Sequence, residues 1–518
     1  MNRGFCENCG NLVTAEREER ENQVFLVKLC PDCGRTETLI SNDAERYNTK
    51  RRLDRGAEEP AGCGLNCLNC GRKNQPSFVF MDITNRCNSN CPICINNTPS
   101  MGFLFEPPME YFEKVLAEFA EFDPKPAVQL FGGEPTVRGD LFEIISLAQS
   151  HGLPARVVTN GLKLANEDYC RKLVDSGATI LFAFDCWNRE TYRVLRGNEK
   201  HLDLKLEALD NLGRLGARKV ALMTCVARGF NDDELPDLLE ACHDRWDFVR
   251  GIYFLPLAET WSQEELDVKP GRITNEDLEI MLNDCFPEER IDFVPAGIFG
   301  NLKAVLRCLG SKPPPFAGAH PNCESLYVLV SNGEEYVPLN RYLRGSLPDL
   351  VDSLTDADAR LEQLEQRMEK SLTGRILSRL GLDWGWLRLR AMLKMGGAVR
   401  KHVRLGYLLK GRGVAKLWHL LAALLGLAFG KSSRKVLKRH TTWQGVLQII
   451  VLPFEDNSTL ETERLERCPN AFVYYDPAQD QVGWVPTCAW GLHKVPVMRR
   501  VAEFYAQQEQ PAETATGS

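Results

Sequence analysis

Two hydrophobic patterns alternate along the first half of the chain. Short, nearly continuous apolar runs occur at FVFMDITNR (78–86), AVQLF (127–131), ARVVT (155–159), TILFAF (179–184), KVALMTC (219–225) and GIYFLP (251–256). Runs of this length, rich in Val, Ile and Phe, predict strands buried on both faces. Amphipathic stretches at helical spacing lie between them, for example 109–122 and 232–245. Six strands alternating with crossover helices predict an α/β fold built on a parallel sheet. Sites in such folds collect at the carboxyl ends of the strands. A cysteine-rich loop after residue 86, Gly132-Gly133-Glu134-Pro135, Thr159-Asn160-Gly161 and Asp185 all fall there.

The second half reads differently. Residues 370–440 hold 17 Lys and Arg against one acid, Asp383, while the remaining chain carries 46 basic and 69 acidic residues. An acidic body with one basic segment points to a local anionic partner. The run LWHLLAALLGLAF (417–429) has thirteen residues, too few to span a bilayer, which takes ~20. Flanking Lys and Arg, with Trp384, Trp386 and Trp418 at its margins, suit a helix lying in a membrane interface. The length of 518 residues, 44% of them hydrophobic and 26% charged, excludes wholesale disorder and fits about three domains. The opening MNRGFCENCG has no apolar stretch, which argues against export by a signal peptide.

Without an export signal, the 19 cysteines read as metal ligands rather than disulfides. Cys6-x2-Cys9-Gly10 and Cys30-x2-Cys33-Gly34 are two knuckles that can aim four thiolates at one ion, tetrahedral Zn or rubredoxin-like Fe. Two triads then share one spacing, Cys63-x3-Cys67-x2-Cys70 and Cys87-x3-Cys91-x2-Cys94. Three cysteines so spaced suit a [4Fe–4S] cluster with one iron open. Only the second triad directly follows a strand. Cys308 precedes a Pro-rich turn, Cys323 lies in HPNCESLYVLVSNGEEYVPLNRY, and Cys468 and Cys488 frame a segment of similar pattern. Both segments read as cysteine, strand, turn and strand, and the four cysteines predict one further shared cluster.

The triad Cys87, Cys91, Cys94 followed by the GGEP stretch makes residues 76–260 resemble the core of a radical S-adenosylmethionine (SAM) enzyme. The resemblance implies a partial (β/α)6 barrel, a cluster held by Cys87, Cys91 and Cys94, and SAM chelating the open iron. It places Gly132, Gly133, Glu134 and Pro135 beside the SAM amino group, and Thr159, Asn160 and Asp185 along the SAM pocket. Ile93 departs from the pattern, since many members carry an aromatic residue before the last cysteine. The order of parts, with the HPNC segment and the VLPFED, RLERC and VPTCAW stretches, is similar to the archaeal tetraether lipid synthases and their bacterial homologues. That family implies a rubredoxin-like metal, auxiliary [4Fe–4S] clusters, and coupling of two lipid tail ends through a new C–C bond.

The expected organisation is a rubredoxin-like or zinc-ribbon subdomain (1–58), an auxiliary cysteine motif (59–75) and a radical SAM core (76–300). An auxiliary cluster segment (301–369), a basic membrane-docking segment (370–440) and a C-terminal auxiliary cluster segment (441–518) follow. The expected partners are a membrane lipid substrate, an anionic membrane surface and a low-potential electron donor, with no nucleic acid. The expected location is cytoplasmic, peripheral on the inner face of the membrane. Rival readings are a radical SAM methyltransferase or maturase acting on a pterin or peptide, and a non-enzymatic iron–sulfur redox module.

Overall fold

The computed structural model describes residues 2–55, 62–70, 75–96, 101–258, 269–308, 311, 313–370, 395–428, 431 and 433–509. Its N-terminal part is a four-stranded antiparallel ribbon of β1 (Arg3–Phe5), β2 (Leu12–Arg20), β3 (Gln23–Cys30) and β4 (Gly34–Ser41), in that spatial order. Gly10 and Gly34 follow the two cysteine pairs at φ +71° and +82°, the left-handed geometry that glycine adopts without cost. Asp43 caps α1 (Ala44–Leu53) by accepting from the Arg46 N–H at 3.0 Å.

The ribbon's apolar interior is small, one cluster of Cys6, Val13 and Cys30 and another of Val24, Ala44 and Tyr47. A domain so thin needs a metal and neighbours, and it has polar neighbours in abundance. Arg17 pairs with Glu461 at 2.7 Å and Glu463 at 2.6 Å, Lys28 donates to the Ser458 carbonyl at 2.7 Å, and Asn2 donates to Glu461 at 2.7 Å. Lys50 is buried against Glu276 and Glu279, 2.7 Å from the latter. Residues near 460 thus hold the ribbon against the body.

The body is one twelve-stranded sheet. Its centre is β5 (Phe78–Thr84), β6 (Ala127–Gly132), β7 (Ala155–Thr159), β8 (Thr179–Ala183), β9 (Val220–Val226) and β10 (Val249–Pro256), all parallel. The crossover helices are α2 (Met109–Ala120), α3 (Leu141–Ser150), α4 (Glu167–Asp175), the pair α5 (Arg189–Arg196) and α6 (His201–Arg214), and α7 (Leu235–Asp244). All seven residues of β5 are buried, as a strand covered on both faces requires. After the barrel core come α8 (Asn275–Asp284), β11 (Val294–Pro295), β12 (Ser325–Ser331) and β13 (Tyr336–Pro338), then β14 (Gly445–Val451), β15 (Asn470–Asp476) and β16 (Gln481–Pro486).

The parallel run is longer than the six strands expected. β14 joins it in parallel beside β10, and β15 joins it in parallel beside β5. Antiparallel β12 and β16 flank these additions. The segments read as auxiliary therefore extend the core sheet rather than hang from it. Buried Asp82 in β5 ties the helix Trp490–Glu509 to this edge, accepting from Trp490 Nε1 at 2.9 Å, and Trp490 stacks on Phe472 of β15 with ring centres 5.4 Å apart.

Part of the basic segment, residues 371–394, 429–430 and 432, lies outside the described residues, and with it Trp384 and Trp386. The helix Val414–Ala428 leaves Val414 84% and Trp418 68% exposed, with Leu417, Leu421 and Leu425 on the same exposed face. Among the described residues no helix is long and apolar enough to cross a membrane.

Candidate active site and metal centres

The ribbon brings Cys6, Cys9, Cys30 and Cys33 together with all four sulfurs within 4.8 Å of one another. Four soft donors in that space suit one tetrahedral ion. Main-chain N–H groups of Cys9 and Asn8 pull the Cys6 thiol down to about 7, which eases metal binding by the thiolate.

The second centre opens at the carboxyl ends of the parallel strands, in a cavity of about 260 Å³. Cys87, Cys91 and Cys94 line one side of it, and Phe80, Phe131, Leu181 and Met223 are among the apolar side chains of its wall. The loop carrying the triad is sewn to the end of β6. Gly133 N–H donates to the Thr84 carbonyl at 2.7 Å, Glu134 N–H donates to the Arg86 carbonyl at 2.8 Å, and Asn96 donates to the Gly132 carbonyl. Only glycine permits this approach. A Cβ on Gly132 or Gly133 would stand 2.2 Å from the Thr84 or Arg86 carbonyl oxygen, and Gly132 holds φ +127°.

Glu134 is buried and saturated. Its Oε1 accepts from Thr136 N–H at 3.0 Å, Thr136 Oγ1 at 2.6 Å and Thr159 Oγ1 at 2.7 Å, while Oε2 accepts from Asn160 N–H at 2.6 Å. Asn160 Nδ2 reaches across to Asn88 Oδ1 in the cysteine loop at 2.8 Å. Glu134, Thr159 and Asn160 thus lock the ends of β6 and β7 to the triad loop. Gly132, Gly133, Glu134, Thr159 and Asn160 all line the cavity, and Pro135 is buried.

Asp185 sits elsewhere than expected. It is 1% exposed and does not line the cavity; its carboxylate accepts from Arg196 at 2.8 and 2.6 Å and from the Cys225 N–H at 3.1 Å. Arg196, at the end of α5, lines the cavity in its place. Burial works against the Arg196 charge, yet the Asp185 carboxylate overrides it and holds the guanidinium well above its ordinary range. Sequence reasoning missed Arg196 because its partner lies eleven residues away, across a turn and a helix. Cys225, near the end of β9, faces the cavity, whereas Cys186, after β8, is fully buried and donates to the Asn188 carbonyl at 3.7 Å. Buried Lys205 supports the floor by donating to the Ala183 carbonyl, and burial draws it down to about 8.

Cys323, Cys468 and Cys488 line the same cavity as the Cys87 triad. The Cys308 side chain lies outside the described residues. Burial pushes the Cys323 thiol up to about 12 and also raises Cys468 and Cys488, an effect that a bound metal ion reverses. Glu455 lies beside this set; burial pushes it up to about 8 despite Arg464 at 3.1 Å. Cys63, Cys67 and Cys70 sit in a short turn next to β16, where Cys63 N–H donates to Glu466.

Residues 81–242 match the Radical SAM superfamily. These residues form a radical SAM superfamily domain, so the chain is an enzyme of that kind, and the domain implies a [4Fe–4S] cluster and SAM. Residues 2–42 match the HMPTM N-terminal zinc ribbon domain, in keeping with a mononuclear metal at the four cysteines. A 7,8-dihydro-6-hydroxymethylpterin dimethyltransferase of Methanocaldococcus jannaschii is 28% identical over 510 residues, 95% of this chain and 93% of that protein. A GTP 3′,8-cyclase of Limosilactobacillus fermentum is 30% identical over 199 residues, 36% of this chain and 58% of that protein. Among solved structures, Streptococcus suis SuiB bound to S-adenosylmethionine aligns at a TM-score of 0.30 and 14% identity, covering 50% of this chain and 65% of that one.

These findings correct the expectation of a membrane lipid substrate and an anionic membrane surface as partners. A relative that aligns with 95% of this chain is named for a pterin, a small polar heterocycle. A leucine-rich run between basic residues specifies an amphipathic helix; it does not specify what that helix meets.

Proposed function

We propose that this radical SAM enzyme is a methyltransferase acting on a pterin. The observation that carries the reading is the likeness to the pterin dimethyltransferase along 95% of the chain, ribbon and C-terminal strands included. It takes the place of the lipid coupling expected from sequence.

In this reading Cys87, Cys91 and Cys94 hold the SAM cluster; three thiols on one loop facing the cavity fit a cluster with one open iron. The cluster, when bound, supplies the electron that splits SAM to a 5′-deoxyadenosyl radical. Arg196, held rigid by Asp185, pairs with the SAM carboxylate. Gly132 and Gly133 keep the triad loop at the depth this requires, and Glu134, Thr159 and Asn160 fix the strand ends beneath it. The apolar wall excludes water from the reacting carbon. Cys323, Cys468 and Cys488 hold an auxiliary cluster across the cavity, with Cys308 as a candidate fourth ligand, and Cys63, Cys67 and Cys70 hold another.

The test incubates full-length, cluster-loaded enzyme with dithionite, 7,8-dihydro-6-hydroxymethylpterin and SAM labelled in its methyl group. A pterin heavier by one or two labelled methyl groups is expected, formed together with 5′-deoxyadenosine and one S-adenosylhomocysteine for each methyl transferred. Formation of 5′-deoxyadenosine with no methylated pterin, or with a cross-linked alkyl product in its place, overturns the proposal. Replacing Cys87, Cys91 and Cys94 by Ala abolishes 5′-deoxyadenosine formation; the same change at Cys63, Cys67 and Cys70 leaves reductive SAM cleavage measurable.

A further inference from the structure

A second cavity, of about 60 Å³, lies between the ribbon and the carboxyl ends of β10 and β14. Pro256, Leu257, Ala258, Pro453 and Phe454 line both cavities, so among the described residues the ends of these two strands and the residues just after them divide the two. The smaller chamber has a polar wall that includes Asn275, Asn322, Glu455 and Arg464. Asn275 Oδ1, Asn322 Oδ1 and Nη2 of Arg464 are buried polar atoms without a hydrogen-bond partner, while Glu455 Oε1 faces Arg464 Nε as an ion pair at 3.1 Å. Asn322 commits its amide nitrogen to the Tyr47 carbonyl at 3.1 Å, which leaves its carbonyl oxygen as an acceptor. Folded chains rarely leave so many buried groups unpaired in one place, and a polar chamber opening beside an apolar one is the ordinary plan of a small-molecule site.

Acceptors and a guanidinium around one small space complement a flat edge bearing both N–H donors and a carbonyl oxygen. We propose that this chamber binds the aminopyrimidinone edge of a pterin, whose ring body extends past Leu257 and Phe454 toward the SAM site; this rests on the pterin reading above. Glu455 and the two asparagine carbonyls accept from the exocyclic amine and the ring N–H, and Arg464 donates to the ring carbonyl. The second ring and its substituent then lie in the main cavity, between the Cys87 triad and the Cys323, Cys468 and Cys488 set.

The experiment measures equilibrium binding of 6-hydroxymethylpterin by its fluorescence, using the full-length holoenzyme. 6-Hydroxymethyllumazine, in which a carbonyl replaces the exocyclic amine, is the comparison ligand. The wild type should prefer the pterin about tenfold or more, and Glu455→Gln and Asn275→Ala should each weaken pterin binding by about tenfold. The pterin-to-lumazine ratio, taken within one protein, is insensitive to partial unfolding, and Asn275→Ala carries the test should Glu455→Gln fail to fold. Equal binding of the two ligands by the wild type, or pterin affinity unchanged in both variants, overturns the chamber's role. Methylated pterin accompanied by unchanged variant affinities overturns the chamber alone. Variant-sensitive pterin binding without any methylation overturns the methyltransferase reading alone.

Discussion

Gly133→Ala tests the idea that the cysteine loop is placed by main-chain bonding to the end of β6. The new Cβ would lie 2.2 Å from the Arg86 carbonyl oxygen and 2.7 Å from its carbonyl carbon, while ordinary contact begins at 3.4 Å. The loop must therefore retreat by about 1.2 Å, because both partners are backbone and neither can swing aside. That retreat breaks or stretches the Gly133-to-Thr84 and Glu134-to-Arg86 bonds, now 2.7 and 2.8 Å. Two hydrogen bonds at about 0.5–1.5 kcal/mol each, with about 1–3 kcal/mol of overpacking strain, give roughly 2–6 kcal/mol. That is a large share of the ~5–15 kcal/mol that holds a typical domain folded. The assays are thermal melting of the cluster-loaded enzyme, iron content, and 5′-deoxyadenosine yield with dithionite as reductant. Gly139→Ala is the control, since a Cβ there meets nothing within 4 Å. The expected result is a lowered melting temperature and a loss of SAM cleavage at least tenfold greater than in the control. A Gly133→Ala enzyme with wild-type melting and wild-type cleavage would refute the argument.

Two further outcomes are expected. The Cys9→Ser, Cys33→Ser double variant should lose one metal equivalent by elemental analysis while its iron–sulfur absorbance persists; unchanged metal content would remove the ribbon site. Burial pulls the His320 imidazole down to about 4, with Glu463 3.4 Å away, whereas the unfolded chain titrates near 6.5. Below pH 6.5 the unfolded state therefore binds a proton that the folded state refuses, so stability falls on acidification. Between pH 6.5 and 5 the wild type should lose about 1.5 kcal/mol more than His320→Gln, measured by denaturant unfolding; parallel slopes for the two proteins would contradict this.

Much of the core was legible because each strand is apolar throughout and each helix is not. GIYFLP falls inside β10, TILFAF covers β8, and the stretch 109–122 contains α2. The places of β14 and β15 were not legible. Their residues, GVLQIIV and NAFVYYD, declare a buried strand but say nothing of its neighbour, which is settled by backbone pairing to residues more than 190 positions away. Arg196 was hidden for a related reason: the ion pair with Asp185 depends on how α5 folds back, not on a repeat in the sequence. The chamber around Glu455 and Arg464 was likewise invisible, because its walls come from the ribbon's α1 and from α8, β10 and the loop after β14.

The pairing of β15 with β5 has a consequence for synthesis on the ribosome. The strand that carries the cysteine loop emerges early, yet the neighbour that covers its outer edge is made about 390 residues later. At ~5–20 residues per second that interval is roughly 20–80 s, during which an apolar edge with unpaired main-chain groups is open to pairing with the wrong chain. Cys468 and Cys488 emerge after the Cys87 triad and Cys323. The cavity with two of its cysteine sets therefore cannot exist before residue 488 has left the ribosome, and cluster delivery to it follows that point. Any fragment ending before residue 470 should accordingly aggregate rather than behave as a smaller enzyme.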